Sequence, residues 1–568
     1  EGLPRVTQGL AREWFPRMEA EARDLRTWVG ELYFERHRGT YTTQAKNKWE
    51  NRRCELLLRD AEFLAALHPA GPTAYPADAL ARAWKLVLLN QFHDILPGSS
   101  IGWVYADSQR QYAEVHDAAD AVIADATDAF ARQIHTDGMA HPALIWNTLS
   151  FARSGMVSIP WKGSAKVVAR APKGELYRTQ LSEEDGGRRL LIEVADAPAM
   201  GYTVYDIRRG RFAEDIGDVA AATPTTLENG LVRVTLDARG GVASLYDKQA
   251  ERELIAPGAV GNLFQLLDDH PINWDAWDID PFAEEVTTDL LGEATVTVTE
   301  NGPLRASVRV ARALTPRATL TQYIRLEANS RRLDFETVID WREAHALLKV
   351  AFPVAVHSAR ATFEIQYGHV ERPTHRNTSW DMARFEVPAH KWADLSESDY
   401  GVALLNDGKY GYDVRGSVLR LTLLRAPKSP DPEADMGVHT FTYSLLPHRG
   451  DVVNSGVPLA GYDLNVPLRV STLPVREGVL AQAHSYFRLD KHNLLIESVK
   501  RAEDGDGLIV RLYEAYRRRG VARLITNGLC ARVTRTDLLE RDQEELPVRG
   551  GAVEFSFRPF EIITLRLR

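Results

Sequence analysis

At 568 residues the chain has room for about four compact units of roughly 150 residues each. Its 44% hydrophobic and 26% charged residues exclude a disordered or collagen-like chain, and 69 Lys and Arg against 78 Asp and Glu, a net charge of -9, exclude a basic face for nucleic acid. Two cysteines, Cys54 and Cys530, are too few for a disulfide framework or a thiolate metal site, which points to a reducing, cytoplasmic compartment.

No run of 18 apolar residues occurs, so no membrane span is expected, and no secretory leader pattern is present. Residues 10–25 carry a helical pattern soon after Glu1, and a portion upstream of Glu1 is expected. Over residues 43–67, Cys54, Leu57, Leu58, Ala61, Leu64 and Ala65 recur at steps of three and four, opposite Lys46, Lys48, Asn51 and Arg52, which predicts an amphipathic helix. A second helix is predicted over 77–96, stopped by Pro97 and Gly98, and a third over 106–133; together they suggest a bundle.

After His141 and Pro142 the texture changes to short β-branched and aromatic runs, such as 155–159, 232–236, 295–298 and 307–313, separated by turn residues. Hairpins are predicted at 238–241 and over 494–513, where 503–507 makes the turn. The expected fold class is α+β and multidomain, a three-helix bundle followed by large antiparallel β-sandwich domains. The divisions read from the chain are 1–142 ending in the bundle, a small β domain at 143–222, a large β-sandwich at 223–475 and a C-terminal β domain at 476–568.

The segment from Asn90 to Gly98 holds a His93-Asp94 pair at the end of the second helix. At 100° per residue, Trp84, Leu88 and Phe92 share one side and His93 lies opposite with Leu86 and Leu89. Such a helix reads as buried, and a buried His-Asp pair needs partners, either a metal or the helix C-terminal carbonyls. Ahead of the first bundle helix, aromatic rings, Arg38 and His37 surround Gly39. These groups either bind a sugar, with flat faces for C–H groups and donors for hydroxyls, or form a solvated helix-entry loop capped by Thr43.

The run from His37 to Gln44, then Asn51-Arg52-Arg53 and Glu55, then residues 90–100, resembles the middle region of glycoside hydrolase family 38, the class II α-mannosidases. Residues 273–278, 372–378, 400–414, 421–435 and 500–514 resemble the C-terminal β region of the family's cytosolic and bacterial branch. The resemblance implies retaining hydrolysis of terminal α-mannose, with one divalent cation, usually zinc, held by two histidines and two aspartates. It makes His93 a metal ligand, Asp94 a partner of sugar hydroxyls, and His37, Arg38 and Tyr41 lining of the mannose pocket.

The family's N-terminal α/β domain, with the nucleophile, the general acid and the other three metal ligands, has no counterpart expected in this chain. The catalytic residues are therefore expected outside it, and the partners are that domain and α-mannoside glycans; homo-oligomerisation is left open. His135-Thr136-Asp137 has a bare His-x-Asp spacing but follows the third helix and reads as coincidence. Residues 274–280, with Trp274, Trp277, Asp275, Asp278 and Asp280, either form a leaving-group subsite or pack their rings and solvate their acids. A non-catalytic carbohydrate-binding module is the main rival reading, and a polysaccharide lyase a third. The bundle is expected to expose an apolar patch.

Overall fold

The computed structural model describes residues 2–184, 187–210 and 219–568, so part of the predicted 143–222 unit lies outside the described residues. The chain divides into two units, Glu1–Glu35 and Arg36–Arg568. In the first, helix α1 (Ala11–Glu21) contains Pro16 and buries no residue.

In the second unit the predicted bundle forms from α2 (Ala45–Ala66), α3 (Ala77–Asn90) and α4 (Gly102–Ala131). The apolar positions that set the period are the ones removed from water: Cys54, Leu58, Ala61 and Leu64 on α2 pack with Val87 on α3 and Val115 and Ala119 on α4. The same core continues into the β region through Phe130, Trp146, Tyr202, Leu512 and Val553, so the bundle is seated on two β domains.

The large sandwich pairs a nine-stranded antiparallel sheet with a six-stranded one among the described residues. Residues 307–313 fall within Arg305–Thr315, and 295–298 within Thr295–Asn301, as their β-branched runs predict. Rings from both sheets interlock: Phe335 lies 5.0 Å from Tyr443 and 5.7 Å from Phe352. Both predicted hairpins are present, Val232–Leu236 with Val242–Asp247 and Leu494–Arg501 with Leu508–Glu514. In the small β domain, Pro142–Asn147 pairs with Gly201–Arg209 on one side and with the distant strand Arg469–Thr472 on the other.

One expectation fails. α3 ends at Asn90 rather than near residue 96, and its last turns are not buried all round. Leu80, Ala83, Val87 and Asn90 face the bundle, whereas Leu88, Leu89 and Phe92 are exposed, with Ile101 and Trp103 exposed farther along the chain. The apolar residues expected on the bundle surface are thus present. Past Asn90 the last turn tightens, with Gln91 N on Leu88 O at 3.3 Å and Phe92 N on Leu89 O at 3.1 Å, and the carbonyls farther on are taken by side chains: Ser100 Oγ bonds Asp94 O at 2.7 Å, Tyr105 hydroxyl bonds Ile95 O at 3.3 Å, and Lys48 Nζ bonds Leu96 O at 2.7 Å.

Candidate functional site

Four segments far apart in sequence lock together here. The loop from His37 to Gln44 is anchored to the Trp-rich loop by backbone bonds from Gly39 N (2.8 Å) and Thr40 N (3.2 Å) to Trp277 O. Thr43 Oγ1 donates to Gly39 O at 2.8 Å and to Ala276 O at 3.0 Å, so Thr43 does not cap α2. Instead Asp435, from the third segment, accepts the N–H groups of Gln44 (2.8 Å) and Ala45 (2.7 Å), setting a carboxylate at the positive end of α2. Gln44 Nε2 reaches Asp431 at 2.7 Å.

The fourth segment, residues 91–100, docks on the first through Lys48, which is buried and donates to both Thr43 O and Leu96 O. Gly98 makes the contact close: its φ is +96°, and a β-carbon there would sit 2.5 Å from Thr43 O. Burial lowers the Lys48 ammonium to about 7 against the opposing pull of Asp435, and burial raises the Asp435 carboxyl to about 6.

Beneath these loops Arg425 is fully buried, pairs with Asp269 at 2.7 Å, and donates to Thr43 Oγ1 at 3.0 Å and to Asp278 O. Arg38, expected to line a sugar pocket, is also buried: it pairs with Asp278 at 3.2 Å, donates to Ala383 O at 3.0 Å and lies over the Phe385 ring. His37 is half-buried and stacks on Trp277 at 4.8 Å, and Tyr41 is half-buried. The loop's charges are therefore engaged rather than solvated.

On this frame the His93-Asp94 pair faces outward. The His93 side chain is 78% exposed, with Nε2 3.4 Å from Asp94 Oδ2 and its ring 4.1 Å from Phe92. Asp94 is held by Ser99 Oγ at 3.1 Å. An imidazole and a carboxylate side by side at an open surface supply part of a zinc donor set, which takes four ligands in tetrahedral sites. His135 is elsewhere in role, its Nδ1 accepting the Gly478 N–H at 3.4 Å.

The Trp-rich loop differs from both sequence readings of its acids. Asp275 accepts the N–H groups of Lys428 (2.6 Å) and Ser429 (3.0 Å), Asp278 holds Arg38, and Asp280 accepts the Ile272 N–H at 2.8 Å. Trp274, 63% exposed, borders a hollow of about 420 Å³ with Ile272, His270, His345 and Ser429. His270 and His345 stack at 4.4 Å. Sequence reasoning missed Lys48, Arg425, Asp435, His270 and His345 as site residues. The resemblance over 421–435 pointed near Arg425 and Asp435, whose partners Thr43, Gln44 and Ala45 lie more than 380 residues away in sequence.

Comparison with known proteins follows the same division of the chain. The family model for the α-mannosidase middle domain matches residues 35–130, that for the glycosyl hydrolases family 38 C-terminal domain matches 227–433, and that for the family's C-terminal β-sandwich domain matches 493–565. Human alpha-mannosidase 2C1 is 40% identical over 576 aligned residues covering 100% of this chain and 53% of that protein. The Saccharomyces cerevisiae alpha-mannosidase is 30% identical, covering 100% of this chain and 51% of its own. A solved α-mannosidase structure from Enterococcus faecalis superposes with a TM-score of 0.83 over 99% of this chain and 72% of that one at 19% identity, a likeness of fold. The chain spans about half the length of the curated relatives it matches.

Proposed function

This chain belongs to glycosyl hydrolase family 38, and we propose that it is the middle and C-terminal part of a cytoplasmic, zinc-dependent, retaining α-mannosidase acting on terminal α-mannosides. The observation that carries this reading is the outward His93-Asp94 pair, set on a turn that buried Lys48 of α2 holds through Leu96 O. The nucleophile, the general acid and the remaining metal ligands are assigned to residues outside the sequence given.

His93 supplies one nitrogen to the metal from the bundle side. When bound, the cation supplies Lewis-acid anchoring of two sugar hydroxyls, favouring a distorted ring nearer the oxocarbenium-like transition state. Asp94, kept in place by Ser99, accepts hydrogen bonds from the same hydroxyls. His37 and Tyr41 border the pocket, and Arg38 shapes it from below through Asp278. Ser100, Tyr105 and Lys48 hold the carbonyls of 94–96 and so keep His93 and Asp94 at one orientation, since catalysis depends on fixed geometry.

On this reading the isolated chain has negligible mannosidase activity and weak zinc affinity at His93. Turnover of p-nitrophenyl α-mannoside by the isolated chain, abolished by His93→Ala, would overturn it. The Trp274 hollow, with its stacked histidines, favours a second reading of the β region as a carbohydrate-binding module. A mannoside titration of the chain that shows no binding lost in Trp274→Ala removes that second reading.

A further inference from the structure

Helices α2 and α4 bring together a second set of donors that nothing above uses. Glu50 and Cys54 stand one turn apart on α2, on one face, and His116 reaches them from α4. One ligand atom from each lies within 4.8 Å of the others. His116 Nε2 and Glu50 Oε2 are 2.8 Å apart with side chains 28% and 20% exposed, whereas Cys54 is fully buried, so the set has a dry thiol end and a wet entrance.

A second, independent observation points into the same place. Tyr112, one turn before His116 on α4, is fully buried, and its hydroxyl has no hydrogen-bond partner among the described residues. Burial raises the Tyr112 hydroxyl's proton affinity, and Cys54, then Tyr410, Glu55 and Glu50, raise it further. Leaving a buried hydroxyl unpaired is costly, and a bound water would relieve it.

We propose that Glu50, Cys54 and His116 form a site for one divalent transition-metal ion of the zinc class, with a water in the fourth position bonded to the Tyr112 hydroxyl. A thiolate, an imidazole and a carboxylate are the donor mixture that zinc and cobalt(II) take, and magnesium and calcium do not. Metal–ligand distances of about 2.0–2.3 Å require Glu50 and His116, now 2.8 Å apart, to part by roughly half an ångström. On binding, the Cys54 S–H bond breaks, a sulfur–metal bond forms and the proton leaves to solvent. Burial pushes the Cys54 thiol up to about 12, so without a metal the sulfur keeps its proton. The ion would pin α2, which carries Lys48, to α4, and the site needs no residue beyond this chain.

The test uses the metal-stripped chain titrated with cobalt(II). The expected result is one equivalent bound with a near-ultraviolet thiolate-to-cobalt charge-transfer band, displaced by zinc, which also raises the thermal midpoint. His93→Ala keeps the band, which separates this site from the proposed mannoside site. His116→Asn weakens binding by at least tenfold, an order of magnitude expected from loss of a ligand or its support. Cys54→Ser, close in volume and checked for native circular dichroism, abolishes the band. A folded chain that shows no such band at one equivalent, or a band that survives Cys54→Ser, overturns the proposal.

Discussion

Arg425 and Asp269 meet at 2.7 Å with neither side chain reached by solvent. Burial pushes the Asp269 carboxyl above its usual range, and Arg425, with a smaller pull from His345, opposes this. The same guanidinium holds Thr43 Oγ1 and Asp278 O, so one buried cation joins the loop of His37 to the Trp-rich loop. Removing one partner of such a pair leaves the other charge stranded.

Arg425→Met is therefore expected to lower stability by about 3–5 kcal/mol in chemical denaturation, the range for a broken buried ion pair. Arg425→Lys keeps the charge but not the planar fork, and recovers only part of the loss. A drop within experimental error for Arg425→Met would contradict the role given to this pair.

Asp435 stands at the start of α2 and accepts two backbone N–H groups. Asp435→Asn removes the charge from the helix N-terminus and leaves one acceptor oxygen, at a cost of about 1–2 kcal/mol. Amide hydrogen exchange should quicken at Gln44 and Ala45 before it changes in the middle of α2. Uniform exchange along the helix would argue against this cap.

Glu62 provides a pH signature. Burial raises its carboxyl to about 7, with Lys500 and hydrogen bonds from Trp84 and Tyr75 opposing. Between its ordinary value of 4.5 and about 7 the folded chain holds a proton that the unfolded chain has released, so this group's contribution to stability falls as pH rises through that window. Glu62→Gln should gain stability relative to the parent from pH 5 to pH 7.5, followed as the difference in thermal midpoint. A difference independent of pH would show that the carboxyl titrates normally.

The bundle and the hairpins were legible because their signals are local: a three- and four-residue step in α2, alternation in Val232–Leu236, a Gly-rich turn at 238–241. The end of α3 was not legible, since Pro97 marks a stop but the helix already tightens after Asn90, where Gln91 N and Phe92 N bond Leu88 O and Leu89 O, and Ser100, Tyr105 and Lys48 then hold the turn through the carbonyls of 94–96. His93 and Asp94 were visible through the family resemblance. The frame beneath them was not, because Ala45 and Asp435 are 390 residues apart and no spacing rule connects them. Arg38 shows the same limit: an arginine in a Gly-centred loop looks available to a ligand until Asp278, 240 residues on, is seen to hold it.

In the proposed composite mannoside site, His93 is the metal ligand that this chain contributes. With its side chain 78% exposed, His93→Ala should leave the isolated chain's stability within about 0.5 kcal/mol of the parent. The direct measurement is p-nitrophenyl α-mannoside hydrolysis and bound zinc in this chain joined to a segment matching the part of its relatives that it does not cover, with and without His93→Ala. The expected result is zinc-dependent turnover that falls by at least about a hundredfold in the variant, as for loss of an interaction worth some 2.7 kcal/mol in the transition state. Unchanged turnover and unchanged zinc in His93→Ala would contradict it.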